Sequence, residues 1–435
     1  MPLTLLVTML LGFAFSVSIA IAIGGSAILG LALFDGDKLI LVPKEMFTAI
    51  DKFPLAAIPF FILAGNLMET GGISRRLVEF AKSLVGGVQG GLPMTCVLTC
   101  MIFAAVSGSS VATTFAIGAI LIPALVKHGY PSSYAASLQA TSAELGVIIP
   151  PSIPMILFGV SAEVSIGELF IAGVLPGLLI GCALMLFVHL YCRYKGWGKR
   201  DGEGRLPVAR AAGDAAWALL MPVIILGGIY GGVFTPTEAS VVAVFYALLV
   251  GLVIHRELRL GDLMRVLRKS VISSAVIMFI IANAGLFAFL ITRAGIPDAI
   301  GMWLKEVLQS PGWFLLGVNA ALFVIGMFIE TSAAIIVLAP SLVPVAVHFG
   351  IIMVVNLAMG MITPPFGVNL FAACTVAKIS LDQIVRHLLP FVLVIMACLA
   401  VITYVPTLTL ALRDAVFAKP PALAPIGPAP VIGPQ

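Results

Sequence analysis

The chain has 435 residues, 61% of them hydrophobic and only 10% charged, with a mean hydropathy of +1.16, whereas a soluble domain carries about 25% charged residues. That composition excludes a soluble enzyme or binding module and describes an integral membrane protein. The formal charge of +4 comes from basic residues in the joints between apolar runs, where membrane topology accounts for them before a nucleic acid does.

Apolar segments fall at 2–33, 54–69, 92–127, 132–160, 169–192, 215–233, 237–254, 270–290, 313–349, 351–373 and 385–411. Helices that rise 1.5 Å per residue need runs of this length to cross about 30 Å of hydrocarbon, and no segment alternates as a barrel strand does, so the fold is all-α and polytopic. The first charge is Asp35, so residues 2–33 lack the basic start of a cleaved signal peptide and are expected as mature membrane helix. They read as two short spans turning near Gly12 to Ser16, or as one long tilted helix that would move the N-terminus to the other side. The stretch AKPPALAPIGPAPVIGPQ from Ala418 is too proline-rich for a helix.

Two apolar stretches carry a polar patch at their middle, Ser107-Gly108-Ser109-Ser110 in the first and Glu330-Thr331-Ser332 in the second. Each reads as a re-entrant helical hairpin or as two ordinary spans with a tight turn; irregular backbone at that depth has to be buried in protein or line a wet cavity. The spacing of landmarks favours the hairpin. Gly72 lies 38 residues before Ser110 and Gly295 37 before Ser332; Pro123 follows the first tip by 13 residues and Pro344 the second by 12. Each of these prolines stands six residues before a glycine, Gly129 or Gly350, and a double proline follows in both halves, Pro150-Pro151 and Pro364-Pro365. Shared order implies an internal duplication. The expected organisation is a first repeat over 1–192 (arm 70–90, hairpin 92–127, broken helix 132–160), a basic linker over 193–214, a second repeat over 215–411 (arm 292–311, hairpin 313–349, broken helix 351–373) and a proline-rich tail over 412–435. With five crossings per half the second repeat is inverted, and the basic residues then divide seventeen to seven between the two sides, the richer side being cytoplasmic. One asymmetry stands out: Gly129 to Pro150 is 21 residues and Gly350 to Pro364 only 14, a loss of about two helical turns.

Inverted repeats with a broken helix and a hairpin tip in each half are the architecture of a secondary transporter, with its sites at mid-membrane. The prolines deprive upstream carbonyls of their helical donors, and free carbonyls beside Ser107, Ser109, Ser110, Thr331, Ser332 and Thr363 suit a small cation. The half-helix N-termini at the same places suit an anion. Glu144 and Glu330 are carboxylates at hydrophobic depth; Glu330 reads equally as a site residue or as a partner of backbone N–H groups, Glu144 as a cap or packing residue. Asn356 and Asn369 flank the second break. Gly173 to Gly181 and Gly227 to Gly232 have the small-xxx-small spacing of helix contacts. The six cysteines have no CxxC spacing and the five histidines no HxxxH or HExxH spacing, which leaves no transition-metal site. No nucleophile with a base and no paired acids on one helix point to an enzyme.

Gly108-Ser109-Ser110, LGVIIPPSIPMILFG (145–159), IGELFIAGVLPGLL (166–179), Pro236-Thr237-Glu238-Ala239 and NLAMGMITPPFGVNLF (356–371) resemble the large membrane subunit of tripartite ATP-independent periplasmic (TRAP) transporters, from about residue 12 to 411. The resemblance implies sodium-driven uptake of a dicarboxylate, sugar acid or keto acid across a bacterial inner membrane by an elevator motion. It also implies two partners, a small membrane subunit and a periplasmic substrate-binding protein. By motif match, sodium would be held by Ser107, Gly108, Ser109, Ser110, Gly146 and Pro150, and by Thr331, Ser332, Gly360, Thr363 and Pro365. The substrate would lie between the tips, near Ser110, Ser152, Glu330, Thr331, Gly367 and Asn369. The alternative is a stand-alone sodium/divalent-anion symporter without obligate partners.

Overall fold

The computed structural model describes residues 2–15, 17–34, 38–198, 205–295, 311–339, 347–364 and 367–417. Within them the chain is helical: α1 Pro2–Ala14, α2 Ile19–Phe34, α3 Leu41–Ile50, α4 Ala57–Thr70, α5 Ile73–Val85, α6 Gly91–Ser107, α7 Ser110–Lys127, α8 Ser132–Ala143, α9 Leu145–Ile148, α10 Ile153–Ser161, α11 Ile166–Lys195, α12 Val208–Tyr230, α13 Pro236–Leu248, α14 Leu260–Arg293, α15 Pro311–Phe328, α16 Thr331–Leu338, α17 Val347–Met361, α18 Val368–Ala377, α19 Leu381–Tyr404 and α20 Thr407–Val416. Among the described residues seven helices are long and apolar enough to cross a membrane, or eight counting the pair 132–148 and 153–161, which bends by 42° at its break.

Local chemistry sets the boundaries. The Pro236-Thr237-Glu238-Ala239 motif is a helix start: Thr235 caps α13, its N–H donates to the Glu238 carboxylate at 2.8 Å, and the Glu238 N–H donates back to the Thr235 hydroxyl at 3.3 Å, with proline at the position that needs no donor. Gly173 and Gly177 on α11 sit where a side chain would collide with Ile148, Ile149 and Met155, and Gly181 where it would meet Met101. The small stripe on α11 is therefore the seat of the first broken helix and α6. The second stripe is not a helix contact: Gly227 has open space around it, and Gly228 faces Phe234 in the turn that follows.

Residues 2–14 and 19–34 form two short helices, and the first broken helix comprises 132–148 and 153–161. Elsewhere the expected limits shift. The linker is shorter than 193–214, because α11 runs to Lys195 and α12 starts at Val208; the second broken helix is 347–361 plus 368–377; and 407–416, partly assigned to the tail, is helical. Gly350 is not the counterpart of Gly129. Gly129 occupies a turn at φ +87°, whereas Gly350 lies inside α17 against the Phe158 ring. Within the described residues α17 spans 15 residues, against 17 for 132–148. Pro344, Pro365, most of the 292–311 arm and the tail from Ala418 lie outside the described residues.

The two broken helices run antiparallel. Ser132, at the start of the first, donates to Ala377 O at the end of the second (3.4 Å), while Gly350 near the start of α17 packs on Phe158 of α10. Each hairpin reaches across: α7 packs on α18, and α16 packs on α10. That reciprocity is what inverted halves require. Beside this assembly the 34-residue α14, about 51 Å long, packs on α2, α3, α4 and α16.

Candidate functional site

The first hairpin turns on three residues. Gly108 ends α6 at φ +64°, Ser109 is extended, and α7 begins at Ser110. Ser109 caps α7 by accepting the Ala112 N–H at 3.4 Å. The Thr113 hydroxyl, one turn on, donates to Ser109 O at 2.8 Å and lies 3.0 Å from the Ser107 hydroxyl. Tip and break are in contact: Ile153 N donates to Gly108 O at 3.3 Å, and a Cβ on Gly146 would come within 2.8 Å of both Ser109 O and Thr113 Oγ1.

The break at 149–152 works by subtraction. Pro150 and Pro151 offer no N–H to the carbonyls four residues back, Gly146 and Val147. Ser152 answers one of them, donating to Val147 O at 2.5 Å while it caps α10 by accepting the Met155 N–H at 3.3 Å. The Gly146 carbonyl loses its helical amide, and Gly146 itself packs against the tip.

In the second half Pro364 and Pro365 remove the donors for Gly360 O and Met361 O. Thr363 N answers Gly360 O at 2.9 Å, and the Thr363 hydroxyl donates to Met359 O at 2.9 Å. Gly367 lies where a Cβ would come within 2.7 Å of Met361 O. Gly360 packs backbone to backbone on Gly326 of α15, below the tip. Glu330 is the N-cap of α16: its carboxylate accepts Ser332 N at 2.9 Å, Ala333 N at 3.2 Å and the Ser332 hydroxyl at 2.8 Å. The Thr331 hydroxyl lies 2.9 Å from Met361 Sδ.

The halves meet through Asn369, fully buried in the first turn of α18. Its amide nitrogen donates to Glu144 Oε1 at 2.7 Å and Ala140 O at 3.1 Å, and its oxygen accepts the Thr114 hydroxyl at 2.6 Å. Asn369 thus belongs to the first tip although the second break carries it. Glu144, 1% exposed, is also faced by Ser110, and its Oε2 has no hydrogen-bond partner.

Ser107, Gly108, Ser109, Ser110 and Gly146 therefore gather at the first tip, which reaches Asn369 through Thr114 and Glu144; Pro150 and Ser152 lie in the break that follows, and Thr331, Gly360, Thr363 and Gly367 gather at the second break. Ser332 and Glu330 satisfy each other. The sequence alone does not single out Thr113 and Thr114, and it presents Glu144 as a cap or packing residue; the threonines stand three and four residues after Ser110 and share its helix face, which is the available signal. The donors at the first tip are hydroxyl and carbonyl oxygens, a hard set that fits an alkali cation and no soft metal. The N-termini of α7 and α10 bring partial positive charge to the same region.

Residues 4–408 match the family described as "Tripartite ATP-independent periplasmic transporter, DctM component". The C4-dicarboxylate TRAP transporter large permease protein DctM of Pseudomonas aeruginosa is 43% identical over 400 residues, covering 90% of this chain and 94% of that protein. The isethionate TRAP transporter permease protein DctMQ of Oleidesulfovibrio alaskensis is 42% identical over 400 residues, covering 90% of this chain and 63% of that protein. In fold the chain is similar to the crystal structure of the Alcanivorax borkumensis YdaH transporter, with a TM-score of 0.60 at 15% identity over 89% of this chain and 91% of that one.

Proposed function

The chain belongs to the DctM component family of tripartite ATP-independent periplasmic transporters, and from that premise we propose that it imports a small organic acid across a bacterial inner membrane, driven by sodium. It is a large permease subunit and not an enzyme. The substrate class is a C4-dicarboxylate or a related sugar or keto acid, delivered by a periplasmic binding protein, with a small membrane subunit beside the permease. The observation that carries this reading is the meeting of the first tip, the first break and Asn369 of the second break in one buried polar cluster.

Sodium is the coupling ion and travels as cargo. One ion is held by Ser107, Ser109, Ser110 and the Gly146 carbonyl, with Gly108 shaping the turn and Pro150 withholding the amide that would compete for that carbonyl. A second is held by Thr331, Ser332, Gly360 and Thr363. The acid lies between the tips, with a carboxylate at the N-terminus of α7 near Ser110 and Ser152. Thr331, Gly367 and Asn369 bound the same space, and Glu330, engaged by its own helix, contributes charge more than contact. The tightly cross-packed hairpins and broken helices move as one body against α14 and its neighbours, exposing the site to each side in turn.

Proteoliposomes that contain the chain, its small subunit and the binding protein test this. Inward sodium should drive accumulation of labelled C4-dicarboxylate, and an equal potassium gradient should not. Accumulation that ignores sodium overturns the coupling. Full activity without the small subunit and binding protein would instead favour a stand-alone symporter.

A further inference from the structure

Glu144 has no role in the reading above, yet among the described residues its Oε2 is the only buried carboxylate oxygen without a hydrogen-bond partner. Neither protonation state resolves this within the protein. Ionised, the oxygen carries charge at hydrophobic depth without a formed hydrogen bond; protonated, its O–H is left without one, and both are costly where water is excluded. The other oxygen is the opposite case, fixed at 2.7 Å by the Asn369 amide. Asn369 is itself pinned by the Thr114 hydroxyl at 2.6 Å and Ala140 O at 3.1 Å. The carboxylate is therefore held in one orientation, with its open oxygen directed by a residue from the other half of the chain.

The tip and break that adjoin Glu144 are rich in hard oxygens. Ser110 faces the same carboxylate. Gly146, two residues further along the break, keeps a carbonyl that Pro150 cannot answer, and a Cβ on it would press on Ser109 O and Thr113 Oγ1. The nearest like charge, Glu330, acts on Glu144 through space. A cation at Oε2 satisfies the orphan atom and relieves that repulsion together, whereas a hydrogen-bonded water would leave the charge in place.

We propose that Glu144 is the anionic ligand of the first-half cation site, and that Asn369 is its positioning residue. The consequence for transport is an order of binding. With the cation absent, Glu144 repels an organic anion from the N-terminus of α7; with it bound, the pair is neutral and the anion can approach. This inference rests on the sodium-coupled reading, since it assigns a further ligand to a site that reading requires.

The test reads binding and not transport: thermal unfolding of the purified full chain is followed as sodium chloride replaces potassium chloride at constant ionic strength. The wild-type protein should be stabilised with a saturable sodium midpoint. Glu144→Gln keeps the size and the acceptor for Asn369 but removes the charge, and should raise that midpoint by about tenfold or more, as loss of groups around a metal does. Should Glu144→Gln fail to yield folded protein, Glu144→Asp, which keeps the charge but withdraws the oxygen, should show the same shift at smaller size. Asn369→Ala should raise the midpoint in the wild-type background and have no further effect in the Glu144→Gln background, because it acts through the carboxylate. A sodium midpoint that is unchanged in Glu144→Gln, or in Glu144→Asp, overturns the assignment while leaving sodium coupling standing. A wild-type protein indifferent to sodium overturns the coupling and this assignment with it.

Discussion

At the first tip the outgoing helix is started by a neutral hydroxyl, Ser109, which accepts one amide at 3.4 Å; at the second it is started by the Glu330 carboxylate, which accepts two amides and a hydroxyl at 2.8–3.2 Å. A helix N-terminus carries about half a positive charge. Glu330 spends that charge internally, whereas Ser109 leaves most of it exposed to whatever approaches. The contacts behind the tips differ as well. The first tip is laced to its break by Ile153 N to Gly108 O and by the hydroxyls around Ser109, while the second rests on a glycine pair, Gly326 and Gly360, and on the Thr331 contact with Met361 Sδ. Duplicated halves have thus diverged into a buried, hydroxyl-lined end whose helix start is left largely uncompensated and a self-capped one.

That contrast can be broken most forcefully at the glycines. Gly360→Ala places a methyl on the backbone of Gly326, which cannot step aside, and should destabilise the protein by about 3 kcal/mol. Gly146→Ala meets Ser109 O and the movable Thr113 hydroxyl and should cost about 2 kcal/mol. Thermal unfolding midpoints rank the two, and equal losses would remove the distinction. The caps come next. Glu330→Ala forfeits charge-assisted bonds and should lose about 2 kcal/mol, against about 1 kcal/mol for Ser109→Ala; a larger loss at Ser109 would reverse the picture. Ser152→Ala withdraws the donor that answers Val147 O and should lose about 1 kcal/mol, again by unfolding midpoint. The smallest expected changes are functional: Ser110→Ala and Thr363→Ala should each raise the sodium concentration for half-maximal uptake about threefold, close to the worth of a neutral hydrogen bond. Sodium titrations unchanged in both variants would count against the ligand assignments.

Much of this was legible beforehand because it rests on one-dimensional chemistry. A double proline withholds two amides wherever it stands, and a Gly-Ser-Ser patch between apolar runs marks a turn, so both breaks and both tips could be placed from residues 107–110, 150–151, 330–332 and 364. What failed was alignment between the halves. Gly350 shares a spacing with Gly129 but lies in a helix where Gly129 occupies a turn, because the second half is seven residues shorter ahead of its double proline. The Gly227–Gly232 stripe likewise has the spacing of a helix contact, yet spacing does not say which face is covered. Long-range partnership was illegible for a related reason. Nothing local to Asn369 announces that it serves the first half, and nothing local to Glu144 announces the amide it accepts.

The bond between Glu144 and Asn369 spans 225 residues of sequence, and it sets a condition on biosynthesis. Ribosomes add about 5–20 residues per second, so Glu144 waits on the order of 10–45 s at the translocon before its partner is made. During that interval the nascent first half carries an acid that lipid will not tolerate, and it depends on the insertion machinery to shelter the segment until the second half arrives.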